Sequence, residues 1–215
     1  MNNVISNGRA IQGSYSSLLV SGFEDAVIQS QSVFRIALMA MSEPGTAHTI
    51  PQPPVLRGLH PATYALCLTL FDNTTPVWVS PSLDTPVLRA NLAFHCASPL
   101  VSERKDAHFA LLSDADLQDV SGFDRGSDRD PDLSCTIIAQ LPALDNGLTS
   151  VWRGPGIQNQ RKVVLPVDES ILLARQACSA FPRGLDFFFT AGDSLLGLPR
   201  STRVLYPIEE TLTCM

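Results

Sequence analysis

Arg153, Arg161, Arg183, Arg200 and Arg203 stand out in the C-terminal half of this chain. Arg183 and Arg200 bracket the run FPRGLDFFFTAGDSLLGLPRST, which extends from Phe181 to Thr202. A guanidinium can hold a phosphate or phosphonate group through two parallel hydrogen bonds. The same fork is frequent among the residues that dominate protein interfaces. Anion binding needs help from a phosphate-cradling loop, and catalysis needs a base. Neither accompanies these arginines in sequence. Contact with a partner is therefore the preferred reading of Arg153, Arg183, Arg200 and Arg203, with binding of a phosphonate or nucleotide as the alternative.

Other chemistries lack their residues. There is no G-x-S-x-G elbow for a serine nucleophile and no G-x-x-x-x-G-K-[ST] loop. His48, His60, His95 and His108 show no metal-ligand spacing. His95 and Cys96 are adjacent, so their side chains point apart on a strand and do not face each other on a helix. Asp128, Asp130 and Asp132 alternate as in a calcium loop, but Leu133 and Ala139 stand where glycine and glutamate are needed. A pyridoxal phosphate enzyme needs a Schiff-base lysine. Lys105 and Lys162 are the two lysines of the chain, and neither has the flanks of a cofactor pocket. The expectation is no catalytic residue, no metal and no cofactor.

These side chains need elements to carry them. Ser21 and Glu24 form a capping-box pattern for a helix that Pro44 stops, with Phe23, Val27, Phe34, Leu38 and Met41 mostly on one face. Pro61 opens a second helix ending at Asp72-Asn73, and Asp84 is placed to cap a third that runs to about Phe94. Strands are expected through Val77–Val79 and through AHFALLS, with a short helix after Asp114 and a charged surface loop over residues 124–134. Asn146-Gly147 predicts a hairpin joining CTIIAQLPAL to LTSVWRGPGI, with Gly154-Pro155-Gly156 as a turn at its end. Asp168 starts a further helix. The continuous apolar run DFFFTA predicts a strand buried on both faces, turned back by Gly192-Asp193-Ser194 into LLGLP, with Phe188 opposite to Phe187 and Phe189. RVLY supplies a last strand. Mixed helix and hairpin connections predict an α/β fold with a mixed β-sheet and flanking helices. Residues 1–20 read as a loose polar arm and residues 21–215 as a single α/β domain.

The totals set the outer limits. The 215 residues carry a net charge of −6, which argues against a nucleic-acid partner. Charged residues make up 17%, against roughly 25% in an average domain. Interface cores are poor in charge, so this deficit points to a surface covered by partners. The five cysteines are scattered and form no C-x-x-C pair. That suits reduced thiols in the cytoplasm. No signal peptide and no membrane-length apolar run is seen.

Several segments together resemble the PhnH family, the H subunit of the carbon–phosphorus lyase system for phosphonate breakdown. They are FRIALMAMSEPG at 34–45, DNTTPVW at 72–78, FHCASPLV at 94–101, AHFAL at 107–111, GPGI at 154–157, FPRGLDFFFT at 181–190 and LPRSTRV at 198–204. Each is modest alone, and their order and spacing carry the match. The resemblance implies a fold like the large domain of pyridoxal-phosphate-dependent transferases, without that cofactor. It also implies a homodimer in isolation and a core complex with the G, I and J subunits in the cell. That complex supports displacement of adenine from ATP by a phosphonate, giving a ribose 1-phosphonate triphosphate. The resemblance supplies no catalytic residue, so the implied role is architectural.

Overall fold

The computed structural model describes residues 17–177 and 179–206. Its centre is a six-stranded sheet in the order β1-β8-β7-β4-β3-β2. The strands are β1 (Ala47–Thr49), β2 (Val77–Val79), β3 (Phe109–Ser113), β4 (Thr136–Gln140), β7 (Asp186–Ala191) and β8 (Ser194–Leu198). Strands β2, β3, β4 and β7 pair in parallel, and β8 runs antiparallel to both β7 and β1. A smaller antiparallel sheet, β6-β5-β9, is built from β5 (Leu148–Arg153), β6 (Arg161–Leu165) and β9 (Arg203–Leu205). The expected α/β architecture with a mixed sheet and flanking helices is thus observed.

Side-chain alternation sorts the large sheet into two faces. Ile138, Phe188, Leu111 and Leu195 join the core beneath three helices, α1 (Ala26–Ser42), α2 (Pro61–Leu70) and α3 (Pro86–His95). Ile137, Ala139, Phe187, Phe189, Leu196 and Leu198 join the opposite core. There they meet Trp152, Val163 and Val204 of the small sheet and Ile171 and Leu172 of α4 (Glu169–Ala177). Phe188 therefore faces away from its two neighbours, as the run of phenylalanines predicts. The Phe187 and Phe189 rings stack at 5.6 Å.

The edges of the large sheet offer little to an incoming strand. Beside β2, Val77 donates to Pro99 O and accepts from Val101 N. The other edge, β1, is three residues long. Residues 18–20 are likewise tied down, because the Asn91 amide donates to Leu18 O and accepts from Val20 N. The rest of the expected arm, residues 1–16, lies outside the described residues.

Four local expectations are corrected. Helix α1 is capped by Asp25, not by the Ser21–Glu24 pair. Asp25 Oδ1 accepts from Val27 N and Ile28 N, and Gln29 Oε1 accepts from Asp25 N. Thr85, not Asp84, caps α3 by accepting from Leu88 N, while Asp84 pairs with Arg89. Residues 114–118 form turns and no helix. Asp116 instead accepts from Ser113 and Asp119 from Ser121, local side-chain bonds that compete with helix formation, and the distant Ser82 also donates to Asp116. The hairpin across Asn146-Gly147 is also absent. Both sides of β4 are taken by β3 and β7, and β5 turns instead to β6 across residues 154–160. Gly147 still marks a corner: with φ of +106°, a Cβ there would lie 2.5 Å from Leu165 O.

Helix α1 is the least expected element. Its buried residues are Val33, Ala37 and Ala40. The larger Val27, Ile28, Phe34, Leu38 and Met39 face outward, with Val27 79% and Leu38 54% exposed. The cause lies in β8. At Gly197 the strand approaches α1 so closely that a Cβ would sit 2.4 Å from Ala40 O. Only small residues fit between backbones at that distance, so the bulky apolar side chains are displaced to the outer surface.

Candidate functional site

The arginine-rich corner is assembled by the β7–β8 hairpin. Its antiparallel register pairs Phe187 with Leu198, which brings Asp186 and Arg200 together. Arg200 donates from its backbone N to Asp186 Oδ1 at 2.6 Å and from Nε to Oδ2 at 3.0 Å. Its Nη1 donates to Pro131 O. Arg200 is thus fully engaged inside the chain, in a cross-link that ties the start of β7 to the loop over residues 124–134. Arg183 works on the same loop, with Nε 3.1 Å from Asp128 Oδ1, and the neighbouring Gly184 N donates to Arg125 O. The charged loop is exposed, as expected, and is laced to the hairpin from two sides. Asp128 is spent on Arg183, and among the described residues no group of three or more His, Cys, Asp or Glu could hold a metal ion.

The remaining arginines divide sharply. Arg161 is structural: its Nη1 donates to Glu43 O, Pro44 O and the Thr46 hydroxyl, closing the C-terminal end of α1. Arg153 and Arg203 sit directly opposite each other on β5 and β9, both exposed. Arg153 donates to Gln160 Oε1 at 2.7 Å. Like charges in register across two strands repel, so this placement is unfavourable without a third party.

Sequence reading missed Arg175, which lies on α4 and is 1% exposed. It donates to Pro199 O and Thr202 O, and its guanidinium carbon lies 5.8 Å from the Phe187 ring centre. Burial lowers its pKa to about 10, which leaves it charged at neutral pH. The signal was available: residues 171, 172 and 175 share one helical face, and the first two are apolar.

Open α/β sheets commonly take ligands beyond the carboxyl ends of their strands. Here those ends are tied to one another. His60 N donates to Gln140 Oε1, the Thr63 and Thr190 hydroxyls meet at 2.7 Å, and Ser82 donates to Ser113 at 2.8 Å. The described cysteines offer no nucleophile there. Cys67, Cys96 and Cys135 are buried, and burial pushes the Cys96 thiol up to about 12. His95 turns away from Cys96 to bond Val20 O, while the Cys96 thiol is directed at Cys67 O. Both lysines are exposed.

A family model described as "Bacterial phosphonate metabolism protein (PhnH)" matches residues 21–205. The chain belongs to the PhnH family. A curated relative from Rhizobium meliloti (strain 1021) is 33% identical over 197 residues, covering 88% of this chain and 96% of the relative. That protein is named "Alpha-D-ribose 1-methylphosphonate 5-triphosphate synthase subunit PhnH". The PhnH match runs from just before α1 to the last residue of β9, so it takes in every helix and strand of the described residues. Three of the segments that resemble PhnH fall in two places of interest. FRIALMAMSEPG builds α1 and its stop, and FPRGLDFFFT with LPRSTRV builds the arginine corner.

Proposed function

We propose that this chain is a non-catalytic, architectural subunit of a phosphonate-processing carbon–phosphorus lyase assembly. It supports displacement of adenine from ATP by a phosphonate, and its docking face is the outer side of α1. The carrying observation is the apolar stripe of Val27, Ile28, Phe34, Leu38 and Met39, left facing out by the close packing of α1 on β8. Stripes of this kind on a charge-poor chain belong to subunits that are covered by others. The relative's printed name, a synthase subunit, supports the same reading. So does the mutual engagement of polar side chains at the strand ends.

The partners in this reading are the G, I and J type subunits, with a homodimer formed through the same stripe when the chain is alone. The setting is the cytoplasm. Among the described residues no helix is long and apolar enough to cross a membrane. The likeness to the large domain of pyridoxal-phosphate-dependent transferases belongs to this proposal, as a scaffold reused for assembly.

The test is purification from cells grown on a phosphonate as the phosphorus source. The chain should bring down its companion subunits and, isolated from them, should turn over no ATP with phosphonate. Robust turnover by the isolated chain would overturn the reading.

A further inference from the structure

Beside β9 and the end of α4 lies a cleft of about 430 Å³. Its walls include Arg175, Ser179, Arg200, Ser201, Thr202 and Arg203. Three guanidinium groups therefore border one small space. Asp186 is the carboxylate at this corner, and both of its oxygens already accept from Arg200. Arg175 has carbonyl partners only, Pro199 O and Thr202 O. Its Nε and the Thr202 hydroxyl are buried without a hydrogen-bond partner among the described residues. Arg203 carries no ion pair among the described residues and is placed in register with Arg153.

We propose that this cleft binds a small oxyanion of the phosphate type. The argument is one of charge balance. Removing one partner of a buried ion pair is costly because it leaves an uncompensated charge. Arg175 comes close to that condition in the chain by itself: the charge of Asp186 favours it, but Arg200 takes both oxygens of that carboxylate and adds a like charge of its own. An oxyanion seated in the cleft would offset Arg175 and relieve the opposition of Arg153 and Arg203 together. Guanidinium forks suit tetrahedral oxyanions, and the Ser201 hydroxyl adds a donor that needs no charge, while the Ser179 hydroxyl already donates to Arg175 O. The cleft near Arg183 differs, because Asp124 lines it and Asp128 holds Arg183. The site shares no residue with the α1 stripe, so it stands or falls separately from the docking role.

Titration of the full chain with inorganic phosphate, at ionic strength held constant with sodium chloride, tests the proposal. Thermal shift and calorimetry are the readouts. Saturable stabilisation by phosphate beyond that of chloride is expected. Arg203→Gln should weaken the affinity about tenfold, the loss typical of one charge-assisted hydrogen bond. Arg57→Gln, an exposed arginine remote in sequence, should leave it unchanged. Arg175→Gln is expected to abolish binding. Should that variant not fold, Arg203→Gln and Ser201→Ala carry the test, since neither removes a buried charge. A phosphate response no larger than chloride overturns the proposal, as does equal weakening by Arg203→Gln and Arg57→Gln.

Discussion

Asp186 and Arg200 stand at the two ends of one β-hairpin and clamp it shut, with side chains only 19% and 17% exposed. The pair also reaches across to Pro131 O, so one ion pair holds three segments of chain. Removing either partner strands the other in a largely dry corner. Asp186→Asn or Arg200→Ala should therefore lower the unfolding free energy by about 2–4 kcal/mol. Urea denaturation of the two single variants and the double variant measures this. A coupling energy near zero in that cycle would show that the two act independently.

Gly197→Ala should be as damaging as a large core substitution, although it adds one methyl group. That methyl would meet Ala40 O at 2.4 Å and Met41 N at 2.9 Å, both backbone atoms of α1 that no rotamer change can move. The expected loss is about 1–3 kcal/mol, as for overpacked cores. Denaturant midpoint is the readout, and an unchanged midpoint would mean that α1 lifts freely from β8.

Phe34→Glu with Leu38→Glu should separate stability from assembly. Both side chains are exposed in the single chain, so its stability should stay within about 0.5 kcal/mol of the parent for each change. Co-purification of companion subunits, and self-association of the isolated chain, should be lost. Retention of both would remove α1 from the proposed interface.

Alkaline pH should unfold this protein early. Burial raises Cys96 and Cys135 to about 12, with Asp124 adding to Cys135, and raises Cys67 well above its ordinary value. Burial first, and then the two nearby cysteines, raise Tyr64 to about 12 as well. A thiol exposed by unfolding ionises near pH 8.5–9, while the folded thiol stays protonated. The unfolded chain thus binds fewer protons, and stability falls as pH rises from about 9 towards 12. Below pH 8 the contribution is flat. Stability measured against pH checks the sign, and Cys96→Ala should flatten the fall. At pH 8, alkylation with peptide mapping should leave Cys67, Cys96 and Cys135 unmodified in the folded chain.

What was legible in the sequence was local. The phenylalanine run reads as a strand because alternation puts Phe188 on one face and Phe187 and Phe189 on the other, and both faces are covered. The Gly192-Asp193-Ser194 turn reads as a hairpin because its strands are neighbours. Asn146-Gly147 misleads for the converse reason: β4 finds partners more than 25 residues away in sequence, at β3 and β7. The apolar face of α1 was identified, but its direction was set by Gly197, more than 150 residues away. Sequence presents the candidate arginines one by one. Their roles depend on Asp186, Asp128 and the carbonyls of Pro131, Pro199 and Thr202, and spacing alone does not bring those groups together. Arg200 and Arg183 pair with Asp186 and Asp128, Arg153 and Arg203 face each other across two strands, and Arg175 is buried on α4.

The edges of the large sheet limit how another chain can attach. One edge is occupied by residues 99–101 and the other offers only the three residues of β1. Extension of the sheet by an incoming strand is therefore a poor route to assembly. In the proposed assembly, recognition runs through side chains on the outer surface of α1, where each contact can be altered singly without touching the backbone framework. An assembly built that way can exchange partners, and its selectivity can drift by point substitution while the scaffold stays the same.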